Sequence, residues 1–498
     1  MRDQRLALGL AAIPLVLHLI SASHYGFFRD ELYFIVCGRH PAFGYVDQPP
    51  LTPLLAAASQ TWGLNLWLIR LIPALFHAGA VFAVCALVRL LGGGGSAQTL
   101  AGIAVGLSPV ELALTATLGT TALEPLSWTF VVYAFVRATL RRQAGWFIAA
   151  GLAAGLALED KYTIAFLLAA IVFGILTVGP RSVLRLRAFW LGALGTALFA
   201  APNIAWQGIH GWPFLALIHA DEATKNVALA PAPWILQQIV MNGPLAAPVW
   251  MFGIGAYCAW PRTRFLGVAI VTVFVTFVSI HAKDYYLTGI YPMLYAAGAV
   301  TVEKLFQRAP FRYGYAALIA AIALPVAPLA MPLLSERQLI AYRAHGEAFL
   351  LAKPVETSER YAPGILPQYF ADMHGWSTLA ASVDRAEMLL APDERAHAAI
   401  FTQNYGEASA IAVLGDGNVP VISGHNNFAL WGPHGDPTVL IFVGGTRAGL
   451  ARDFRTVRQV GTVSDRYARP DQIGVPIFIA RDPIHDFAQS WPQRQHFD

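Results

Sequence analysis

Long apolar stretches recur along most of this chain, and they limit the folds that it can adopt. A helix needs about 20 consecutive apolar residues to cross the hydrocarbon core of a membrane. Of the 498 residues, 56% are hydrophobic and only 13% are charged, whereas a soluble domain has roughly 25% charged residues. The mean hydropathy is +0.51. These values predict a polytopic membrane protein of mainly α-helical fold.

We predict eleven membrane spans, and we expect the first to be retained rather than removed as a signal peptide. They lie near residues 6–24, 71–91, 97–117, 122–140, 144–159, 162–179, 188–206, 238–259, 265–282, 285–303 and 313–333. Basic residues concentrate in every second loop, which is the distribution that sets membrane orientation. We therefore expect the N-terminus inside and the acidic loops outside. The net charge of +4 follows from these loops and does not indicate a nucleic-acid partner.

The composition changes after Pro332, and the two parts of the chain are predicted to differ. Residues 1–334 form the transmembrane part, with amphipathic helices in an outer loop at 25–70. Residues 335–498 carry more charge and alternate strand-like with helix-like runs, which is typical of a small soluble α/β domain. We predict strands at 397–402, 419–422, 438–443 and 475–479, and helices at 407–414 and 450–457. With an odd number of spans, this domain lies outside.

Asp30 and Glu31 follow directly after the first predicted span. In the structural interpretation, these two acids lie at a helix N-terminus, where they interact favourably with the helix dipole. The catalytic interpretation is stronger here, because outer acids recur after several spans and can converge. A carboxylate acts as general base when it lies within hydrogen-bond reach of a hydroxyl acceptor. We predict that Asp30 is the catalytic carboxylate and that Glu31 is its catalytic neighbour, with a role left open.

Two further acids are candidates, and each has an ordinary structural alternative. Asp47 lies just before a pair of prolines, where turn chemistry is the simplest explanation. Orientation of a sugar and coordination of a metal are the functional alternatives for Asp47. Glu124 begins the fourth span, where helix capping and an active-site role agree equally well with the sequence.

Two lysine clusters occur at outer span boundaries. Snorkelling lysines and interfacial tyrosines are their structural alternatives. A lysine at headgroup depth also neutralises a lipid phosphate as charge builds on the leaving group. We predict that both clusters bind the phosphate or the sugar of a substrate, through Lys161, Tyr162, His281, Lys283, Asp284 and Tyr285.

Five short motifs, spread over most of the chain, resemble bacterial members of glycosyltransferase family 39. They are Arg-Asp-Glu-Leu-Tyr at 29–33, Gly-Tyr-Val-Asp-Gln-Pro-Pro-Leu at 44–51, Lys-Tyr-Thr at 161–163, Lys-Asp-Tyr-Tyr at 283–286 and Ser-Gly-His-Asn-Asn-Phe at 423–428. Relatives in that family include the protein O-mannosyltransferases and the transferase that adds aminoarabinose to lipid A. The resemblance implies an integral membrane enzyme of the GT-C fold.

The resemblance also implies a reaction. A hexosyl or pentosyl group would move from a polyprenyl-phosphate donor to a lipid, glycan or protein acceptor, at the periplasmic face of the bacterial inner membrane. Asp30 would be the catalytic carboxylate, Glu124 a second acid and Lys161 the contact to the donor phosphate. Gln48 stands where the aminoarabinose transferase has a lysine, which weakens the expectation of lipid A as acceptor. The sequence identifies no definite cofactor, and a requirement for a divalent metal, with Asp47 as a candidate ligand, stays open.

Two other classes of function stay open at this stage. A transporter or lipid flippase usually has polar sites near the membrane midplane, often within inverted repeats. Here the ionisable residues cluster at one face and we find no internal repeat, which favours the enzyme, although Glu111 lies within a predicted span. A non-catalytic envelope-assembly subunit would need the surface of residues 335–498 but neither Asp30 nor Lys161.

Overall fold

The structure is a computed structural model that describes residues 2–224, 226–350, 360 and 362–497. Its first helices are α1 (Arg2–Ser21), α2 (Arg29–Arg39), α3 (Leu51–Ser59), α4 (Leu66–Leu90), α5 (Gly95–Gly106), α6 (Pro109–Leu114), α7 (Glu124–Leu140), α8 (Trp146–Leu158), α9 (Ile164–Thr177), α10 (Arg187–Ile209), α11 (Pro213–Thr224), α12 (Pro231–Met241), α13 (Ala247–Ala259), α14 (Arg264–Ser279), α15 (Tyr291–Leu305), α16 (Ala309–Ala330) and α17 (Glu336–Leu350). The remaining elements are α18 (Gln368–Ala371), α19 (Trp376–Glu387), α20 (Pro392–Arg395), β1 (Ala398–Thr402), α21 (Tyr405–Leu414), β2 (Val421–Ser423), α22 (Asn426–Trp431), β3 (Val439–Val443), α23 (Arg447–Leu450), β4 (Phe454–Val463) and β5 (Val475–Pro483). The predicted domain at 335–498 thus includes residues 351–359, 361 and 498, which lie outside the described residues.

Helices occur at the predicted spans, but several are short or broken. Within the described residues, four helices are long and apolar enough to cross a membrane, at Asp3–Ser21, Leu66–Leu90, Arg187–Ile209 and Ala309–Ala330. Eleven unbroken spans are therefore not confirmed.

Proline explains two of the breaks, because it lacks a backbone N–H and its ring clashes with the preceding turn. Pro109 starts α6 as a separate helix within the predicted span at 97–117. Pro244 follows α12, which divides the predicted span at 238–259 between α12 and α13. A 3-10 helix, Asp284–Ile290, stands before α15 where one continuous span was predicted.

The apolar helices pack into one bundle around a common core. Close approach is clearest between α13 and α15, where small residues face each other. A Cβ atom at Gly298 would lie 1.8 Å from the carbonyl oxygen of Val249, and one at Gly253 would lie 2.0 Å from that of Leu294. These distances leave no room for a side chain. The backbones of α13 and α15 are therefore in direct contact.

The C-terminal part contains a sheet with the strand order β2-β1-β3-β5-β4. Strand β1 runs parallel to β2 and β3, and β5 runs antiparallel to β3 and β4. The four predicted strands correspond to β1, β2, β3 and β5, but the helix predicted at 450–457 is wrong. That region enters β4, because β-branched residues such as Thr456 and Val457 favour strands and pair with β5.

Helix α2 joins the two parts of the molecule. It packs against α3 on one side and against α21 of the C-terminal part on another. Leu32 is fully buried in the apolar core of the sheet region, whereas Ile35 is fully buried in a core with Tyr405. The side chains at the start of α2 are thus held between the bundle and the sheet.

Candidate active site

Asp30 lies in the first turn of α2, beneath the start of α21. Its carboxylate accepts a hydrogen bond from the Tyr405 hydroxyl at 2.8 Å and one from Arg29 Nε at 3.3 Å. The Tyr405 ring packs on Tyr33 with centroids 4.6 Å apart. The Asp30 side chain is 34% exposed. It is therefore oriented by two donors yet open to a substrate.

Asp47 lies next to the same tyrosine pair. It accepts a hydrogen bond from the Tyr33 hydroxyl at 3.1 Å and longer ones from the side-chain amides of Asn426 and Asn427, at 3.5 and 3.4 Å. Asn427 also accepts from the Val46 backbone N–H at 3.1 Å. The outer loop and the Asn-Asn pair that begins α22 thus meet at Asp47.

The residues around Asp47 do not fit a metal site. The three groups named above are hydrogen-bond donors, whereas a hard cation such as Mg²⁺ or Ca²⁺ takes oxygen ligands. The described part of the chain has no group of three His, Cys, Asp or Glu side chains placed to hold a metal.

Lys161 occupies a second cluster, at the N-terminal end of α7. Its Nζ lies 3.5 Å from Glu124 Oε2 and 4.0 Å from the centroid of the Tyr286 ring. Thr163 donates a hydrogen bond to the other oxygen of Glu124. The Glu124 side chain is buried, while that of Lys161 is 14% exposed. A cation held by one carboxylate and an aromatic face keeps further N–H donors for an anion.

The outer loop before α3 connects these two clusters. The carbonyl of Tyr45 accepts a hydrogen bond from the Gln207 side chain at 2.9 Å, and that of Phe43 accepts one from Asn203 at 2.9 Å. At the other end of the loop, the Leu51 N–H donates to the Glu159 carbonyl at 2.8 Å. The loop before α3 thus contains Asp47, and Leu51 at its end contacts the turn that contains Lys161.

Tyr162, predicted to contact substrate, helps to hold this loop. Its hydroxyl donates to Asn203 Oδ1 at 2.7 Å, and its ring packs edge-on against Phe214 at 4.6 Å. Asn203 is the residue that also binds the Phe43 carbonyl. The contacts favour a positioning role for Tyr162.

Asp160, in the turn between α8 and α9, is buried beside Thr52, which donates a hydrogen bond to it. Burial raises the pKa of Asp160 to about 8, and the nearby charge of Glu124 acts in the same direction. Thr52 and Lys161 act against this shift, but burial is the larger cause. The carboxyl group thus holds its proton in the folded protein at neutral pH.

This shift predicts a pH dependence of stability. The folded state binds the Asp160 proton more tightly than the unfolded state, so its stabilisation is complete below about pH 4 and is lost as pH rises through about 8. Asp160→Asn keeps a neutral side chain and should flatten that decline, by on the order of a few kcal/mol. Thermal unfolding from pH 4 to 9 measures it, with Asp3→Asn as the control at an exposed acid. An unchanged pH profile in Asp160→Asn would show that Asp160 is ionised in the folded protein.

The second predicted lysine cluster adjoins the first through its tyrosines. Tyr285 packs edge-on against Tyr286 with centroids 5.1 Å apart, and Lys161 Nζ lies 5.7 Å from the Tyr285 ring. Lys283 pairs with Asp221 at 3.9 Å. Asp284 accepts a hydrogen bond from the N–H of Tyr285, which follows it, at 2.9 Å. Residues 283–286 thus contact the cluster around Lys161 through the rings of Tyr285 and Tyr286.

His281 does not join them. Its side chain is exposed and its backbone has a φ of 50°, which few non-glycine residues adopt. The described residues therefore give no support to the prediction that His281 binds substrate.

Comparison with known proteins agrees with this architecture. The dolichyl-phosphate-mannose-protein mannosyltransferase family matches residues 47–206. ArnT from Cupriavidus metallidurans in the apo state superposes with a TM-score of 0.61 at 15% identity, covering 94% of this chain and 97% of that one. ArnT bound to undecaprenyl phosphate gives a TM-score of 0.60 at 16% identity, with the same coverage. No curated protein matches in sequence.

The chain has the GT-C fold and resembles the family 39 glycosyltransferases. The matched region begins at Asp47 and includes Glu124 and Lys161, whereas Asp30 and the sheet lie outside it. For those parts the GT-C likeness rests on the superposition.

Glu31 has contacts of a structural kind in this GT-C chain. It is fully buried, and both of its oxygens are occupied. Arg70 donates to each at 3.3 Å, the Phe28 N–H donates to Oε2 at 2.8 Å and the Leu118 N–H donates to Oε1 at 3.1 Å. We therefore propose that Glu31 fixes the start of α2 and thereby positions Asp30.

Tyr405 and Tyr33 were not singled out as site residues from the sequence. Asn427 appeared there only within the motif at 423–428. Tyr405 is far from Asp30 in sequence, and only the packing of α21 on α2 brings the two together. One local signal for Tyr405 is present in the sequence. Asn404 is the N-cap of α21 and accepts a hydrogen bond from the Glu407 N–H at 3.0 Å, which makes Tyr405 the first residue of that helix.

Proposed function

We propose that this protein is a membrane glycosyltransferase that uses a polyprenyl-phosphate-linked sugar and a cell-envelope acceptor. The observation that carries the proposal is that one outer loop connects the cluster around Asp30, a partly exposed carboxylate, with the cluster around Lys161, a partly exposed cation. A sugar transfer from a lipid phosphate needs both groups, one at the attacking hydroxyl and one at the leaving phosphate. The solved relative bound to undecaprenyl phosphate supports a lipid of this class.

The proposed step is a single displacement. The acceptor hydroxyl oxygen attacks the anomeric carbon and passes its proton to the Asp30 carboxylate. The bond from the anomeric carbon to the phosphate oxygen breaks, and its electron pair leaves with the lipid phosphate. Attack and departure on opposite faces invert the anomeric configuration. Lys161 stabilises the leaving phosphate, so that no general acid is required.

The proposed placement is the bacterial inner membrane, with the site and the sheet region on the periplasmic face. Two features support this orientation. The basic loops alternate with the acidic ones, and Asp30, Asp47 and Lys161 lie at the same end of the bundle as the sheet.

Removing the Lys161 charge tests the donor contact. A hydrogen bond to a charged group contributes about 1.5–3 kcal/mol, so Lys161→Gln should lower kcat/KM for the donor by about 10- to 100-fold. The measurement is release of polyprenyl phosphate from polyprenyl-phosphate sugars extracted from native membranes. The double variant Lys161→Gln/Glu124→Gln, which leaves no unpaired buried acid, should show the same loss if the cation itself matters.

Lys304→Gln is the matched control, because Lys304 also stands over an aromatic ring, that of Trp260 at 4.8 Å, but at the other end of α15. It should release polyprenyl phosphate at the wild-type rate. Wild-type kinetics in Lys161→Gln would remove the donor contact from the proposal.

A further inference from the structure

A basic cavity lies at the end of the bundle opposite Asp30. It has a volume of about 610 Å³ and is bounded by the start of α1 and the ends of α4 and α7. Helix α7 carries Glu124 at its N-terminus and Arg137 in its last turn. Its 17 residues span roughly 25 Å. The cavity is therefore separate from the candidate active site.

Its charges are unbalanced. Arg89, Arg137 and Arg141 line the cavity, with Asp3 as the only acid among its lining residues in the described part of the chain. Asp3 pairs with Arg89 at 2.9 Å. Arg137 has neutral partners, the Tyr133 hydroxyl at 2.6 Å and Gln143 Oε1 at 2.9 Å. Two positive charges thus lack an acidic partner there.

A buried polar atom also borders the cavity. Gln98 is 1% exposed and lines it. Its Oε1 has no hydrogen-bond partner among the described residues, and a buried polar atom of this kind costs free energy unless something binds it. The side-chain oxygen of Gln98 accepts hydrogen bonds and its NH2 group donates them. The side chain therefore suits a ligand that has hydroxyl groups to donate and oxygen atoms to accept.

The surroundings indicate a lipid rather than a soluble ligand. The Arg137 guanidinium lies over the Trp146 ring at 4.8 Å, and Trp146 packs edge-on against Tyr133 at 5.6 Å. Tryptophan and tyrosine concentrate at membrane–water interfaces. Phe82, which is exposed, lines the cavity on the outside of the bundle. On that side, the acyl chains of a lipid can contact the apolar surface of the bundle.

We infer that this cavity binds the phosphate-bearing headgroup of an anionic membrane phospholipid. Basic pockets between membrane helices are the usual sites for such headgroups. The phosphate lies between Arg137 and Arg141, and the headgroup hydroxyls reach Gln98. Such a lipid would hold the ends of α1, α4 and α7 together.

The test uses the purified full-length protein in detergent and native mass spectrometry. Phosphatidylglycerol, phosphatidylcholine and inorganic phosphate are titrated separately. The electrostatic attraction between one basic residue near the membrane surface and anionic lipid corresponds to about a fivefold change in affinity. Arg141→Gln should therefore weaken phosphatidylglycerol binding about fivefold, and Arg137→Gln/Arg141→Gln about 25-fold. Arg142→Gln, at the next exposed arginine outside the cavity lining, should bind as the wild type does.

Three results would overturn the inference. They are equal phosphatidylglycerol affinity in the wild type and the double variant, equal affinity for phosphatidylcholine, and displacement of the lipid by equimolar inorganic phosphate. If the double variant does not fold, Arg141→Gln alone decides, because the Arg141 guanidinium makes no ion pair within the described residues. The readout is lipid binding and does not depend on sugar transfer.

Discussion

Asp30→Asn should lower sugar transfer by about 10²- to 10⁴-fold, which is the range that general base catalysis contributes. Asparagine keeps the shape of the side chain and still accepts the hydrogen bond from Tyr405, so the fold should not change. It cannot take the proton of an acceptor hydroxyl at neutral pH. The assay follows incorporation of labelled sugar from native polyprenyl-phosphate donors into envelope acceptors.

Two variants make this result specific. Asp3→Asn removes a carboxylate at the far end of the bundle and should leave transfer unchanged. Tyr405→Phe removes one donor to Asp30 and should lower turnover far less than Asp30→Asn, since the carboxylate is retained. Full turnover by well-folded Asp30→Asn would mean that another group accepts the proton or that none is needed.

Arg70→Met should lower the free energy of unfolding by about 3–5 kcal/mol, the usual cost of leaving a buried charge without its partner. Arg70 is buried and donates to Glu31 and to the backbone carbonyls of Ala22, His24 and Gly26. Losing it leaves the buried Glu31 carboxylate without a counter-ion and removes a hydrogen-bond donor from three carbonyls before α2. Unfolding followed in detergent measures the loss.

The control is Arg89→Met. Arg89 forms an ion pair with Asp3 in which both side chains are about half exposed, and such pairs contribute at most about 1 kcal/mol. A similarly small effect of Arg70→Met would contradict the structural role of the Glu31 pair. It would also restore Glu31 as a candidate for catalysis.

The sequence could single out candidate residues because the signals for them are local. Asp30 and Lys161 stand near the ends of apolar stretches, and Asp47 lies just before a pair of prolines. The contacts that orient them are not local. Tyr405 reaches Asp30 only because α21 packs on α2, and the pairing of Glu124 with Lys161 depends on how α7 meets the turn before α9.

The errors in the fold have similar causes. A hydropathy window averages over Pro109 and Pro244, and so joins helices that these residues separate. The predicted helix at 450–457 failed because the pairing of β4 with β5 decides its structure. Local propensity is ambiguous in a segment that mixes charged with β-branched residues. His281 was selected for its residue type, its side chain is exposed, and its binding to substrate stays a prediction.

The most direct test of the account is a structure of the protein with polyprenyl phosphate bound. The proposed mechanism predicts a lipid phosphate within about 3 Å of Lys161 Nζ, with its chain leaving sideways between the helices and open space for an acceptor between the phosphate and Asp30. A phosphate bound elsewhere, with Lys161 still on Glu124 and no lipid near Asp30, would contradict it.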